Sequence, residues 1–598
     1  MNPGLKHESA GNISGQIQVT PTAQTLPGRR SFLTYFSSLG LGSTLFPGVL
    51  WGKLQDQKSS TSAKDPAITK EMLRDAASVA GLTFTDPQLD AMLDGVNKNL
   101  TRWEGLRKVQ LDNTVAPPLY FNPIVPGMKI DRTKRPFRAS APPRVTRPSN
   151  LEDTAFWPVT QLAELIRTKQ VTSVELTEMY LGRLKKYNPK LLCAVTITED
   201  LAMRQARDAD REIAANRYLG PLHGIPWGVK DLAAAKGYPT TWGAAPFKNR
   251  VIDTDATVVS RLSAAGAVLV AKLATGELAL DDIWFAGQTK NPWDLSMGSQ
   301  GSSAGPGSAT AAGLVGFAMG TETGGSIVAP SAICGVTGFR PTFGRVSRHG
   351  IMTLSWSLDK TGPMCRSVED CALVLAAIQG PDEQDLTVQD VPFNWDAHMD
   401  IRKLRVGYLK AAFSGTRQTP QVDSNDSAAL QKIRSLGFQL TEVELPEHAK
   451  LDFLTIMWGE ANAALRDPIE TQPAELVRQD RVVSQNTFRL LPAAEYVNAN
   501  RVRALLMQEM ARVMSQVDVY VLPFDYADYT PNPVATLNSA VTNLTGHPCV
   551  AVPHGFDEKG HPTSLSFIGT LFGDAEMLAL AMAYQNATAW HTKHPKLP

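Results

Sequence analysis

The sequence predicts a layered α/β fold with a helical segment ahead of it. Three observations carry this. Helical and strand-like patterns alternate from Asn150 onward. Short apolar runs, residues 225–229 before Lys230 and residues 267–271, have strand length and strand composition. Residues 301–326 consist mostly of glycine, serine, alanine and threonine, which lets backbones approach closely and turn tightly.

Composition narrows the function. The 598 residues suffice for a large core and more than one unit. A hydrophobic content of 43% with 20% charge is ordinary for a soluble globular protein. A formal net charge of +1 gives no electrostatic reason to expect a nucleic-acid partner. Cys193, Cys334, Cys365, Cys371 and Cys549 lack zinc-finger or Cys-x-x-Cys spacing, and free buried thiols are expected. His223, His349 and His547 form no recognisable ligand set, so neither metal nor cofactor is expected.

The elements follow in order. Residues 1–52 begin polar, then carry Arg29-Arg30-Ser31-Phe32-Leu33 and a broken apolar stretch, residues 39–51. This resembles a twin-arginine export signal and implies a periplasmic or secreted protein, with the cytoplasm as the alternative. The stretch is too interrupted for a stable membrane span. Residues 52–65 read as a polar linker. Residues 53–112 hold a helical segment with two patterns, near residues 68–80 and from Thr85-Asp86-Pro87 onward. They are expected to brace the core, with a functional lid or a dimer contact as the alternative. Residues 113–150, rich in proline and basic side chains, read as a solvated linker. The catalytic domain is placed at residues 151–598. Within it, Thr172-Ser173-Val174-Glu175 is a capping box, and residues 255–265 form a helix stopped by Gly266. Helices are expected near residues 453–465 and 494–513, and strands near 517–522 and 549–553. An amphipathic helix over residues 575–589 closes the chain.

The chemistry gathers in three places. Ser302 and Ser303 open one glycine-rich turn, and Thr323-Gly324-Gly325-Ser326 forms another. A hydroxyl after two glycines, where a helix could start, suits a nucleophile beside backbone donors. Ser326 is the expected nucleophile, with the backbone N–H groups of Thr323, Gly324, Gly325 and Ser326 as oxyanion donors. A helix cap is the plainer role for the same serine. Lys230 ends an apolar run, and a buried lysine loses its charge and can act as a base. A surface lysine paired with Asp231 is its plainer reading. Lys230, Ser302 and Ser326 would form a proton relay needing neither histidine nor metal.

These motifs resemble the amidase signature family, whose pattern is roughly Gly-Gly-Ser-Ser-Gly-Gly and later Gly-Thr-Asp-Thr-Gly-Gly-Ser-Ile-Arg. Here they stand as Gln300-Gly301-Ser302-Ser303-Ala304-Gly305 and Gly320-Thr321-Glu322-Thr323-Gly324-Gly325-Ser326-Ile327-Val328. Asn291-Pro292-Trp293-Asp294, the segment from Gly335 to Thr342, Ser357-Leu358-Asp359 and Thr545-Gly546-His547-Pro548 follow the same order, over residues 150–598. The resemblance implies a layered fold with a mixed central sheet covered by helices, and an amidohydrolase with a Ser-Ser-Lys triad acting through a seryl acyl-enzyme. It releases a carboxylic acid and ammonia or an amine from a small or oligomeric amide. It also implies a cis peptide bond before Ser302, Ser302 as bridge and Ser303 as a supporting residue. Asp281, Asp282, Trp284 and Phe285 are candidates for the acyl pocket or for ordinary packing. Residues 380–535 match poorly, in a stretch that varies with substrate.

Four positions depart from the family. Glu322 stands for aspartate, Val328 for arginine, and Gln300 and Ala304 for glycines. Without the arginine, Glu322 needs another partner or water. The helical residues ahead of the domain resemble the C subunit of glutamyl-tRNA amidotransferase. An ammonia-producing glutaminase subunit is therefore one alternative to an exported amidase. A non-catalytic binding protein keeping the fold is another, and oligomeric assembly stays open.

Overall fold

The computed structural model describes residues 68–109, 120–414, 419–451, 453–524 and 533–597. The twin-arginine stretch, the linker at 52–65 and residues 113–119 lie outside these. The chain divides into two units, residues 1–75 and residues 76–598. Among the described residues no helix is long and apolar enough to cross a membrane.

The second unit is built on one sheet. Its strands are β1 (Ala194–Ile197), β2 (Pro226–Lys230) and β3 (Val268–Leu273). Two short ribbons follow, β4 (Ile283–Trp284) with β5 (Gly287–Gln288), and β6 (Lys290–Asn291) with β7 (Asp294–Gly298). The sheet resumes with β8 (Phe317–Glu322), β9 (Thr337–Arg340), β10 (Lys360–Cys365), β11 (Val406–Leu409) and β12 (Thr441–Val443). It ends with β13 (Val519–Phe524), β14 (Cys549–Phe556) and β15 (Pro562–Gly569). These eleven strands lie in the order β1-β3-β2-β8-β10-β9-β14-β15-β13-β11-β12. β2 runs parallel to β3 and β8, whereas β8–β10 and β14–β15 are antiparallel, so the sheet is mixed as expected.

Local signals explain the elements. Thr172 caps the helix Ser173–Leu191 by accepting the Glu175 N–H at 3.1 Å, and Glu175 accepts the Thr172 N–H at 2.8 Å. The helix Thr257–Ala264 ends before Gly266, whose φ of +80° is cheap only for glycine. Pro87 sits in the first turn of Asp86–Arg107, which packs on Gln479–Phe488. Trp103 and Leu106 of that helix join a core cluster with Leu506 and Met510.

One helix differs from expectation. Asp574–Thr588 is buried on most sides, including Asp574 and Gln585, rather than split into two faces. It is packed by β14 and by the helices Val368–Ile378 and Pro420–Ser435, which cover what would be its solvent face.

Residues 120–150 run largely exposed over the surface. Arg132 donates to the Asp390 carbonyl at 2.6 Å, the Arg138 N–H to Trp395 at 3.0 Å, and the Ser140 N–H to Glu369 at 2.6 Å.

Candidate active site

Because β2 and β8 are parallel neighbours, Lys230 and the turn after Glu322 emerge at the same edge of the sheet. This is where open α/β sheets hold ligands. Gly228 brings β2 against β3; a Cβ there would lie 2.5 Å from Leu273 Cδ1.

Lys230 is 1% exposed. Its Nζ lies 2.8 Å from Ser302 Oγ, 2.9 Å from Thr321 Oγ1, 3.1 Å from Ser303 Oγ and 3.4 Å from the Thr321 carbonyl. The plainer reading, an ion pair with Asp231, does not hold. Asp231 pairs instead with Lys272 at 2.7 Å, both buried. Burial drives Lys230 well below the ordinary lysine value, opposed in part by Asp359 and Glu322. An uncharged amine has a lone pair that can accept the Ser302 proton.

The first turn is tightly constrained. The Gly301–Ser302 peptide bond is cis, as the resemblance implies. A Cβ on Gly301 would sit 1.8 Å from the Asp281 carbonyl, so only glycine fits. Gln300 adopts φ of +60° where the family has glycine, and its N–H donates to Asp282 Oδ2 at 3.0 Å. Ala304 needs no such freedom, since it starts the helix Ala304–Ala311. Ser303 Oγ donates to the Thr321 carbonyl at 3.0 Å.

The second turn follows β8. Among the described residues, the N–H groups of Thr323, Gly324, Gly325 and Ser326 donate to no protein acceptor. Ser326 lines a pocket together with Gly301. The Ser303 N–H donates to the Ser326 carbonyl at 3.1 Å, tying the two turns together. No hydrogen bond joins Ser302 Oγ to Ser326 Oγ.

Ser326 is not a helix cap. The helix Val328–Cys334 is preceded by Ile327, and Glu322 Oε2 accepts the N–H groups of Ile327 at 2.9 Å and Val328 at 3.0 Å. A carboxylate thus does the capping, and the Ser326 hydroxyl is not engaged in it.

Glu322 has the partner it needs. Arg340, at the end of β9, reaches Glu322 Oε1 at 2.6 Å, and both are buried. Asn543 Nδ2 donates to the same oxygen at 3.1 Å. Arg340 Nη2 donates to Thr542 Oγ1 and the His547 carbonyl, each at 3.0 Å. Burial pushes Glu322 up, but Arg340 and Lys360 together bring it below its usual value. The sequence signal for this partner of Glu322 is an arginine ending the short strand Thr337–Arg340.

The pocket has a volume of about 540 Å³, within the range of small-molecule sites. Phe453, Leu454, Met457 and Trp458 form one wall, and a Cβ on Gly324 would lie 2.6 Å from Phe453 Cζ. Asp281 lines the pocket and pairs with Arg478 at 2.9 Å. Asp282, Trp284 and Phe285 do not line it: Asp282 holds the Gln300 turn, and Trp284 packs edge-on against Phe285 at 4.8 Å.

Sequence reasoning also missed Arg481. It lines the pocket, is 1% exposed and lies over the Trp458 ring at 5.6 Å. Its Nη1 reaches the Glu277 carbonyl at 3.5 Å, while Nε and Nη2 have no hydrogen-bond partner.

Glu447, His448 and Glu509 bring possible metal-ligand atoms within 4.8 Å of one another, but none lines this pocket. His547 is held by Thr545 Oγ1 at 2.8 Å, and burial lowers it to about 3.

Comparison with known proteins places this geometry. The Amidase family profile matches residues 175–578. The A subunit of glutamyl-tRNA(Gln) amidotransferase from Roseiflexus sp. (strain RS-1) is 37% identical over 476 residues, covering 73% of this chain and 97% of that protein. Its counterpart from Methylococcus capsulatus is 35% identical, covering 73% and 98%. The peptide amidase of Stenotrophomonas maltophilia superposes with a TM-score of 0.65 at 29% identity, over 74% of this chain and 99% of that one. The protein is an enzyme that cleaves an amide C–N bond, and its chain belongs to the amidase family.

Proposed function

We propose that Ser326 is the nucleophile, Ser302 the proton bridge and Lys230 the base. The observation that carries this reading is a buried lysine amine 2.8 Å from Ser302, behind a turn of unengaged N–H groups. The substrate carbonyl oxygen points at the N–H groups of Thr323, Gly324, Gly325 and Ser326. Lys230 takes the Ser302 proton as Ser302 takes that of Ser326. Ser326 Oγ bonds to the carbonyl carbon, and negative charge develops on the oxygen beside those donors. The intermediate collapses, the C–N bond breaks, and the proton returns through Ser302 to the leaving nitrogen. Water then cleaves the seryl ester by the reverse path.

Arg481 indicates the acyl half. A buried guanidinium with two unengaged donor groups favours a substrate that brings an acceptor, above all a carboxylate. A glutamine-like amide meets that demand.

This supports a second reading, an ammonia-producing subunit of a tRNA amidotransferase. The curated relatives carry that name, and the helices ahead of the catalytic part resemble its C subunit. An exported, free-standing amidase is the competing reading, and it rests on Arg29-Arg30, outside the described residues. Fractionation of the full-length chain, with glutamine-dependent ammonia release measured with and without partner subunits, separates the two.

The test is ammonia release from glutamine and from uncharged amides. Ser326→Ala is expected to lose at least about 1,000-fold in kcat on all of them. Arg481→Met is expected to lose about 10- to 100-fold in kcat/KM for glutamine and little for uncharged amides. Equal losses on both substrate types would remove the carboxylate assignment. Full activity in Ser326→Ala would remove the nucleophile.

A further inference from the structure

Asp359 lies just before β10 and reaches the second turn from outside the relay. Its Oδ1 accepts the Thr323 hydroxyl at 2.6 Å. Its Oδ2 accepts the N–H groups of Leu354 at 2.8 Å and Ser355 at 3.0 Å. One carboxylate therefore joins the first residue of the turn to the loop at 354–359.

That loop is fixed in turn by the pocket wall. Glu460, on the helix Phe453–Ala464, accepts Ser355 Oγ at 2.7 Å, the Ser357 N–H at 2.9 Å and Ser357 Oγ at 2.6 Å. Arg503 donates to the Ser357 hydroxyl at 2.7 Å and carbonyl at 2.8 Å. The same helix presents Phe453 and Trp458 to the pocket. At the other end of the turn, Glu322 holds Ile327 and Val328. The four unengaged N–H groups thus lie between two carboxylate anchors.

We propose that Asp359 is a positioning residue that holds the oxyanion turn through the Thr323 hydroxyl. The inference rests on the assignment of Ser326 as nucleophile and of residues 323–326 as oxyanion donors. Such donors work because they are aimed before charge develops, and displacement by about 1 Å can cost on the order of 100-fold. Charge appears on the oxygen only in the transition state, so a loosened turn lowers kcat and spares KM.

The experiment compares Thr323→Val, Asp359→Asn, their double variant and Ser326→Ala in the full chain, with one amide substrate. Valine keeps the backbone donor and the β-branched shape and removes only the hydroxyl. Thr323→Val and Asp359→Asn are each expected to lower kcat by about 10- to 100-fold, with KM within about threefold. The double variant is expected to be no worse than the poorer single one. Folding of each variant is checked by thermal melting, and Thr323→Val decides the matter if Asp359→Asn fails to fold. Unchanged kcat in Thr323→Val beside an inactive Ser326→Ala overturns the positioning role alone. Losses that multiply in the double variant overturn it too. An active Ser326→Ala overturns the nucleophile and this inference together.

Discussion

Lys230 and Lys272 lie on neighbouring strands and are both buried, yet their surroundings differ by one carboxylate. Asp231 faces Lys272 at 2.7 Å, while Lys230 faces three hydroxyls and a carbonyl. The lysine paired with a carboxylate is structural; the one surrounded by hydroxyls is the proposed base. Adjacency of Lys230 and Asp231 in the chain suggested the opposite pairing. Side chains on successive strand residues point to opposite faces, which is why it is not formed. Glu322 and Arg340 make the same point about distance in the chain. The family's cation is absent at Val328, and the replacement comes from another strand. Arg340→Met leaves Glu322 buried without its cation, and a loss of about 3–5 kcal/mol is expected in denaturant unfolding. Adding Glu322→Gln should recover part of it; a single variant as stable as wild type would contradict the assignment.

At the scale of elements, the local signals were legible. Caps at Thr172, the stop at Gly266 and the two glycine-rich turns each follow from one or two residues. The pocket wall was not legible, because Phe453, Trp458 and Arg481 belong to the poorly matching stretch and reach the site only through folding. Ala304 and Gln300 show how a turn tolerates departures. Ala304 is helical, and Gln300 holds a positive φ supported by Asp282. Burial and the neighbouring Asp281 push Asp282 up to about 6. A carboxyl raised in the folded state costs nothing below its ordinary value, and the cost is complete above the folded one. Asp282→Asn keeps an oxygen for the Gln300 N–H and removes the charge. It is expected to stabilise the protein by roughly 1–3 kcal/mol at pH 7.5, with the gain fading between pH 6 and 4. A gain independent of pH in thermal unfolding would contradict this.

At the scale of the whole molecule, the alternation of helices and strands predicted the layered fold, and the mixed sheet bears it out. The sequence did not reveal how the late segment is used. Residues 380–535 supply β11, β12 and β13 to the common sheet and the helix Phe453–Ala464 to the pocket, so one stretch builds both scaffold and pocket wall. The proposed relay sits where the parallel strands β2 and β8 end side by side, a position set by topology rather than by any single motif. The most direct measurement is the pH dependence of Ser326 acylation, followed before steady state in wild type and Lys230→Met. Wild-type acylation is expected to fall as pH drops through a value below the ordinary lysine 10.5, because protonated Lys230 cannot accept the relayed proton. Lys230→Met is expected to acylate about 100- to 10,000-fold more slowly and to lack that limb. Wild-type rates and an unchanged pH profile in Lys230→Met would contradict the account.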